Sequence, residues 1–413
     1  MIGDTDRPAG AVEANDAAAG DGSGPKQETD GTHPPPQPEA GDTENTGDTE
    51  AGPRRGRNPL RRFAAWYRRL PRWPRRALTS LVALLALLVT AVGGIGIALY
   101  AEGAGTPSPA ARSTGHDALW LGHAWVGWPA GNGRDAKTDA DFAGLAALVR
   151  SSGIKDLFVH DGPFDMDGSL DPGKSPNAGW FLDRVHRELP GVRVQAWLGQ
   201  VVGGASLHLD DAATRGRVVA GVGAALDRGF DGVHFDFEPV PDGDPGFVDV
   251  VAAARAVTSS HHALLSVSVP QVEPVSGWRV PGDFLAGHPK WWSQSYLRRV
   301  AENCDQVAVM AYDTSLPTEW AYRGYVERQT EVALQAVPPG VDLLMGVPAF
   351  HTDDPGHSDS AETVPAALTG VRLALGGRPP ARPFGVAMYV EFAATPADWA
   401  AYREDWLNPA GAA

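Results

Sequence analysis

The sequence predicts a (β/α)8 barrel of the TIM type, preceded by an N-terminal segment of a different character. Eight short apolar runs alternate with eight segments of helical pattern between residues 116 and 407. This number of elements over about 290 residues is typical of a TIM barrel. A doubly wound open sheet is the alternative, although such a sheet more often begins with a glycine-rich phosphate loop after its first strand.

The order of these elements supports the barrel. The apolar runs predict strands at residues 118–125, 154–161, 192–199, 231–238, 263–270, 305–313, 341–348 and 384–391. Helices are predicted at residues 140–151, 180–188, 211–228, 246–259, 291–302, 322–336, 363–375 and 397–406. Several of these helical segments begin with capping residues, such as Asp210-Asp211 and Thr395-Pro396.

The composition of the first 76 residues does not allow a hydrophobic core to form. Residues 1–52 contain 12 acidic residues against Arg7 and Lys26, and they have no aromatic residue. Such a segment buries too little apolar surface to offset its chain entropy, so we expect it to be disordered. Residues 53–76 contain ten arginines and no acidic residue. Together, residues 1–76 are expected to form a disordered cytoplasmic tail.

A transmembrane helix is predicted at residues 77–100, which are 24 consecutive residues without a charge. About 20 apolar residues cross the hydrocarbon layer, and the arginines before this run place its N-terminal side in the cytoplasm. The domain that follows a short linker at residues 101–115 is therefore expected outside the cell membrane. A buried core helix is one alternative. A cleaved signal peptide is another, but the run is longer than the usual signal-peptide core.

Cysteine content and charge narrow the possible functions. Cys304 is the single cysteine, so no internal disulfide is possible, and we expect it to be a small buried side chain. The residues beyond position 76 carry 38 acidic and 23 basic side chains. An acidic exported domain argues against a nucleic-acid partner. No cofactor is indicated, and the oligomeric state is left open.

The active site of a TIM barrel lies at the carboxyl ends of its strands, and the predicted strands end in polar and aromatic residues. Aromatic rings stack on sugar rings, while carboxylates and amides bond to hydroxyls. We therefore predict a carbohydrate substrate. Its expected contacts at the strand ends are His160, Trp197, Gln271, Tyr389 and Glu391.

The fourth strand carries the most specific pattern, GFDGVHFDFE at residues 229–238. Side chains alternate between the faces of a strand, so His234, Asp236 and Glu238 share one face and are predicted to point into the barrel. Carboxylates two residues apart lie roughly 6–7 Å from each other and repel, which raises one pKa. The pattern predicts a coupled acid pair with a proton donor. A buried polar network without catalysis is the alternative.

This strand resembles the signature Asp-x-x-Asp-x-Asp-x-Glu of family-18 glycoside hydrolases, the chitinase-like enzymes. Asp231, Asp236 and Glu238 match its first and third aspartates and its glutamate. A second family element, Met-x-Tyr-Asp on the sixth strand, matches residues 310–313. The resemblance covers the barrel, about 70% of the chain, and rests on these two short motifs.

The resemblance implies a mechanism and a set of roles. The glutamate, here Glu238, protonates the leaving oxygen, and the 2-acetamido group of the substrate attacks the anomeric carbon. By position, Asp236 orients and stabilises that acetamido group, and Tyr312 hydrogen-bonds to it. Asp313 is expected to contact the sugar. Asp231 and His234 are expected among the substrate-binding residues, with N-acetylhexosamine polymers as the implied substrate class.

The sequence also departs from the family pattern. His234 replaces the second aspartate of the signature, and a neutral imidazole at this position could donate a hydrogen bond to Asp236. The Ser-x-Gly-Gly element of the third strand is absent, and Tyr389 stands near the place of a tryptophan on the eighth strand. These departures leave open a barrel that binds glycan or cell-wall material without cleaving it.

A metal-dependent hydrolase is a further alternative. His123, His160, His234 and Asp236 lie at predicted strand ends and carry common zinc-ligand groups. The closely spaced histidine motifs of zinc enzymes are missing from the sequence, so no metal is expected.

Overall fold

The computed structural model describes residues 59–127, 136–277, 279, 289–377 and 382–411. The chain divides into two compact units, one of which contains Gly94–Ala413 while the other ends at Gly93. The predicted disorder of residues 1–52, and the start of the arginine-rich segment, lie outside the described residues.

The closed sheet of eight parallel strands confirms the predicted TIM barrel. Each strand pairs with its sequence neighbours, and the first strand closes the barrel against the eighth. The strands are β1 Ala118–Leu121, β2 Asp156–His160, β3 Arg193–Val201, β4 Gly232–Glu238, β5 Leu264–Val269, β6 Gln306–Val309, β7 Asp342–Pro348 and β8 Phe384–Tyr389.

Helices follow the strands and cover the outside of the barrel. They are α3 Asp139–Ser152, α4 Ala178–Glu188, α5 Ala212–Asp227, α6 Pro245–Ser260, α7 Gln294–Ala301, α8 Glu319–Ala336, α9 Val364–Leu375 and α10 Pro396–Ala401, which continues as a π-helical turn over Tyr402–Leu407. Two helices precede the barrel, α1 Pro59–Arg69 and α2 Arg72–Gly103.

Local signals set several helix starts. Thr138 and Thr395 close capping boxes with Asp141 and Asp398, which satisfy amide groups that the first turn leaves unpaired. Asp211 caps α5 through the amides of two following residues. These capping residues give the barrel helices defined starting points, as the polar residues before the apolar periodicity predicted.

Three predicted elements are shorter in the structure. The first strand ends at Leu121, and His123–Trp125 forms a 3-10 turn beyond it. The sixth strand ends at Val309, so Tyr312 lies in the loop that follows. The predicted helix at residues 291–302 begins only at Gln294, because Ser293 is the N-cap residue whose hydroxyl accepts the amide of Tyr296.

The barrel interior has an apolar layer above a polar one. Trp120, Phe158, Ala308, Leu344 and Ala387 belong to the interior cluster. Below them, Gln195 donates to Asp156 and to Gln306 at 3.1 and 3.0 Å, and Arg193 forms two hydrogen bonds with Asp156. The polar groups at this amino end are therefore bonded to one another, and the open end lies at the carboxyl ends of the strands.

The predicted membrane segment lies within the longer helix α2. Among the described residues, α2 is the one helix long and apolar enough to cross a membrane. Its apolar side chains are exposed, including Leu84, Leu87, Val89 and Ile97.

Candidate active site

Strand β4 places three ionisable side chains one above another on its inner face. His234, Asp236 and Glu238 pair in register with Trp197, Gly199 and Val201 of β3. The alternate residues Val233, Phe235 and Phe237 pack in the apolar layer beneath the outer helices. The alternation predicted for this strand thus positions both carboxyl groups at the mouth of the barrel.

Asp236 is held by an indole group of the neighbouring strand. Nε1 of Trp197 donates to its Oδ2 at 2.8 Å. Burial raises the pKa of Asp236 to about 6, against the hydrogen bonds of Trp197 and Ser268, which lower it. Its Oδ1 is buried and has no well-aligned hydrogen bond with the described residues. Oδ1 of Asp236 is therefore a buried acceptor without a donor from the described residues.

Glu238 has the properties of a proton donor. Burial raises its pKa well above the usual range, and the charges of Asp236 and Asp313 raise it further. The carboxyl group has no hydrogen-bond partner within the part of the chain that the structure describes, and the side chain is half-buried at the mouth. A carboxyl group in this environment retains its proton closer to neutral pH and can give it to a leaving group.

Aromatic rings form the wall beside these acids. Tyr312 stacks on Tyr389 with ring centroids 5.3 Å apart, and Phe350 meets both rings edge-on. Burial raises the pKa of Tyr312 well above its usual range, so the phenol stays neutral and can donate. Its hydroxyl bonds to none of the described residues. Three aromatic side chains from different strand ends therefore line one side of the site.

Two further predicted contacts lie at the same end. The ring of His160 meets Trp197 edge-on at 4.8 Å, and Trp197 lies 6.2 Å from Tyr389. Burial, followed by the nearby His123, lowers the pKa of His160 to about 3, so its imidazole is neutral. The structure thus brings His160, Trp197 and Tyr389 together near Asp236.

Asp313 belongs to a charged cluster beside the mouth. Nδ1 of His357 lies 3.1 Å from Oδ1 of Asp313 and 3.4 Å from Oε2 of Glu362. Burial alone would lower the pKa of His357, but the two carboxylates outweigh it and raise that pKa to about 9. Asp313 has a left-handed backbone with φ of 56°. The charge of Asp313 raises the pKa of Glu238.

Four predicted substrate contacts need correction, and Asp231 is the first. Asp231 precedes β4 at the amino end of the barrel, where its Oδ2 accepts the amide of Val194 at 2.8 Å and contacts Nε2 of His186 at 2.9 Å. Asp236 and Glu238 lie toward the opposite end of this strand. Asp231 therefore joins β3 to β4 and does not line the mouth.

His234 is the second predicted substrate contact that the structure corrects. It is fully buried and hydrogen-bonds to Ser266 and Ser268, each at 2.8 Å. The expected direct bond from its imidazole to Asp236 is not formed, because the ring turns toward β5. Since no part of His234 is accessible, it cannot contact a substrate at the mouth.

Gln271 and Glu391 complete the corrections. Gln271 is buried, donates to the carbonyl of Tyr312 at 2.5 Å and accepts from Tyr325 at 2.7 Å, so its amide positions the loop after β6. Glu391 accepts from Trp125 at 3.2 Å and lines a side groove of about 410 Å³ that is separate from the acid pair. Both side chains are bonded within the protein.

Some residues of the site were not predicted from the sequence. Ser266 and Ser268 lie on β5, and their contact with His234 depends on the pairing of β4 with β5. His357 and Glu362 lie in the stretch after β7, and their contacts with Asp313 depend on the path of that loop. Ser266 and Ser268 lie two residues apart on a predicted strand, which places them on the same face, and this is the one sequence signal for their role.

The residues proposed for a metal site do not form one cluster. The rings of His123 and His160 lie 5.5 Å apart, and Nδ1 of His123 lies 2.9 Å from the carbonyl oxygen of His160. His234 is instead bonded to Ser266 and Ser268 of β5. Within the described residues, the groups that could hold a metal ion by distance are Asp313, His357 and Glu362, and separately Glu102, Glu327 and Glu331. Neither group contains the residues of the predicted alternative.

Comparison with known proteins identifies solved structures with a similar fold. No protein-family model matches the chain, and no curated protein matches it in sequence. Among solved structures, the spore cortex-lytic enzyme SleL of Bacillus megaterium is similar with a TM-score of 0.50 and 14% identity, over 71% of this chain and 75% of that one. The chain therefore shares the (β/α)8 barrel fold of that enzyme.

A second solved structure is a chitinase from Chromobacterium violaceum, with a TM-score of 0.48 and 17% identity over 70% of this chain and 98% of that one. In TIM barrels the active site lies at the carboxyl ends of the strands. Asp236 and Glu238 of β4 and Tyr312 after β6 lie at this end.

Proposed function

We propose that this chain is a membrane-anchored glycoside hydrolase in which Glu238 acts as general acid and base. The observation that carries the proposal is the acid pair itself. Glu238 has a raised pKa and no protein hydrogen bond among the described residues, and Asp236 lies two residues away on the same face of β4. Such a pair separates the roles of proton donor and charge stabiliser.

The mechanism we infer uses the substrate as its own nucleophile. Oδ1 of Asp236 is free to accept the N–H of a 2-acetamido group, and the neutral hydroxyl of Tyr312 is free to donate to its carbonyl oxygen. These two contacts would hold the acetamido oxygen against the anomeric carbon while Glu238 protonates the leaving oxygen. Water then attacks, and Glu238 accepts its proton.

The chemistry of the site favours sugars that carry an N-acetyl group. An acceptor at Asp236 and a donor at Tyr312 match the two ends of an amide. The stacked rings of Tyr312 and Tyr389 offer an apolar wall of the kind that binds sugar faces. We propose N-acetylhexosamine polymers as the substrate class, with the barrel outside the cell and the N-terminus in the cytoplasm.

Direct assay tests this proposal. The full chain, purified in detergent, is incubated with chitin oligomers and with peptidoglycan fragments, and the products are followed by mass spectrometry. Glu238→Gln should lower kcat by about 10²–10⁴ because it removes the general acid, while its melting temperature stays close to that of the wild type. Glu188→Gln, on the outer helix α4, is the matched control.

The outcomes separate the main proposal from a second one. Wild-type chain that cleaves no glycan, or a Glu238→Gln variant that cleaves normally, contradicts the hydrolase. His234 in place of an acid favours a barrel that binds glycan without cleaving it. Glycan binding by wild type and by Glu238→Gln, with no turnover by either, supports that second function.

A further inference from the structure

Three side chains of the kinds that bind metal ions converge beside the mouth of the barrel. Asp313 lies in the loop after β6, and His357 and Glu362 lie in the stretch between β7 and α9. One nitrogen or oxygen atom of each side chain lies within 4.8 Å of those of the other two. This group is distinct from the acid pair, because none of its members belongs to β4. It connects two loops that leave neighbouring strands.

The distances within this group match those around a tetrahedral metal ion. Nδ1 of His357 lies 3.1 Å from Oδ1 of Asp313 and 3.4 Å from Oε2 of Glu362. Zinc binds imidazole nitrogen and carboxylate oxygen at about 2.0–2.2 Å, so two of its ligand atoms lie about 3.4 Å apart at the tetrahedral angle. An ion can therefore take the place of the proton on Nδ1 with little movement of the three side chains.

A proton on Nδ1 of His357 satisfies one of the two carboxylates. It is directed to Oδ1 of Asp313, whereas Oε2 of Glu362 is buried and has no well-aligned donor among the described residues. The other oxygen of Glu362 accepts the amide and the hydroxyl of Thr314, each at 2.9 Å. Glu362 is 2% exposed, so solvent does not compensate Oε2. A buried carboxylate oxygen without a donor is costly, and a cation at Nδ1 would satisfy it.

Charge and access also favour a cation. Asp313 and Glu362 bring two negative charges, and Lys290, which donates to the carbonyl of Thr314 at 2.9 Å, adds one positive charge nearby. One negative charge remains in excess when His357 is neutral. The side chain of Asp313 is 44% exposed, while those of His357 and Glu362 are fully buried. An ion can therefore enter past Asp313 and keep one coordination position open to water.

We propose that Asp313, His357 and Glu362 form a binding site for a divalent transition-metal ion of the zinc type, with water as the fourth ligand. The nitrogen ligand from His357 selects against calcium and magnesium, which prefer oxygen. His357 binds the ion in its neutral form, so its Nδ1 proton leaves on binding. The ion joins the loop after β6 to the stretch after β7. Metal binding here does not require glycosidase activity.

Zinc titration of the full chain tests the site. The protein carries no polyhistidine tag, is purified in detergent, is stripped of metal with EDTA and is titrated with zinc chloride by isothermal titration calorimetry at neutral pH. We expect one zinc ion per chain, and calcium chloride should not compete for it. Cobalt(II) bound in place of zinc should show the visible absorption of tetrahedral coordination.

Asp313→Asn is the principal variant, because it alters the exposed ligand and because asparagine tolerates the left-handed backbone of this position. Glu362→Gln is the second, since it keeps an acceptor for Thr314. Each should lower the zinc affinity by about 10–100-fold or more, because even residues that only orient a ligand contribute that much. Glu331→Gln is the matched control and should bind zinc as wild type does. It belongs to the group of Glu102, Glu327 and Glu331, which offers oxygen atoms only.

Zinc should also raise the melting temperature of the wild type and have a smaller effect on Asp313→Asn, because binding stabilises the folded state. If Glu362→Gln does not fold, Asp313→Asn and the cobalt spectrum decide. No zinc binding by the wild type, equal zinc affinity of wild type and Asp313→Asn, or a loss confined to Glu331→Gln overturns the proposal. Because zinc binding is measured without substrate, a wild type that cleaves no glycan contradicts the proposed hydrolase alone.

Discussion

The indole N–H of Trp197 donates to Oδ2 of Asp236 at 2.8 Å, so one aromatic side chain both lines the mouth and holds the carboxylate there. The contact joins adjacent strands, because Trp197 lies two residues before Gly199, the register partner of Asp236. Its hydrogen bond stabilises the charged form of Asp236 and opposes the effect of burial.

Replacing Trp197 with phenylalanine should therefore make Asp236 harder to ionise. A hydrogen bond to a charged group contributes about 1.5–3 kcal/mol, and one pKa unit corresponds to about 1.4 kcal/mol. We expect Trp197→Phe to raise the pKa of Asp236 from about 6 by roughly one to two units, measured as a shift of the acid limb of kcat/KM. Trp125→Phe, at the side groove, should leave that limb unchanged, and a shift there would point to a general effect of aromatic packing.

The two aspartates at opposite ends of the fourth-strand motif should behave differently. Asp236→Asn should lower kcat by about 10²–10³, because it removes a charge that stabilises the transition state. Asp231→Asn should leave kcat and KM unchanged and lower the free energy of unfolding by about 1 kcal/mol, since Asp231 accepts the amide of Val194. Steady-state kinetics and urea unfolding measure both. A loss of turnover in Asp231→Asn would contradict its structural role and show that Asp231 acts in the site.

Gly199 is a position where β3 and β4 approach closely. A Cβ atom on Gly199 would lie 2.2 Å from the carbonyl oxygen of Asp236, so the strands must separate to accept it. We expect Gly199→Ala to destabilise the fold by about 1–3 kcal/mol and to lower kcat by displacing Asp236. Gly144→Ala, in helix α3 with open space around it, should stabilise by up to about 1 kcal/mol. Equal stability of the two variants would contradict this reading of the contact.

Because of His357, the free energy of unfolding of the barrel should decrease as the pH rises into the alkaline range. Its pKa is raised to about 9 in the folded protein, against about 6.5 in the unfolded chain. The folded state thus binds the proton more tightly, and the resulting stability is complete below about pH 6.5 and is lost as the pH rises through about 9. Integrated over this interval, the contribution is about 3 kcal/mol.

The variant His357→Asn should remove most of that dependence, so its free energy of unfolding should change less between pH 6 and pH 10 than that of wild type. His351→Asn is the matched control, because His351 also contacts two carboxylates but is 41% exposed. Solvent screening should keep its effect below about 1 kcal/mol. Identical pH dependence of wild type and His357→Asn would show that the cluster does not stabilise the fold.

The barrel and the strand that carries Asp236 and Glu238 were predictable because their signals are local. Alternation along β4 places His234, Asp236 and Glu238 on one face whatever surrounds the strand, and the eight strands follow from apolar runs separated by helical periodicity. The same reasoning misplaced Asp231. It belongs to the motif, but it precedes the strand, and only the direction of β4 through the barrel shows that it lies at the closed end.

Pairings between distant segments were not predictable. The role of His234 depends on Ser266 and Ser268 of β5, and that of Asp313 depends on His357 and Glu362 beyond β7. Nothing in the spacing of these residues indicates which will meet, because contact is decided by strand register and by the path of each loop. Gln271 illustrates the same limit, since its amide is used by the backbone of a neighbouring loop.

The sequence by itself determined the number and order of the barrel strands, an apolar segment of membrane-spanning length, and the face on which Asp236 and Glu238 lie, since each follows from the periodicity of neighbouring residues. The tertiary structure alone decided which polar groups remain free for a substrate and which are used within the protein. In the tertiary structure His234 is buried, and Gln271 and Asp231 form hydrogen bonds with backbone groups. Glu238 has no hydrogen-bond partner among the described residues. The physical reason is that hydrogen bonding and burial, which set both availability and pKa, depend on strands that are far apart in the chain.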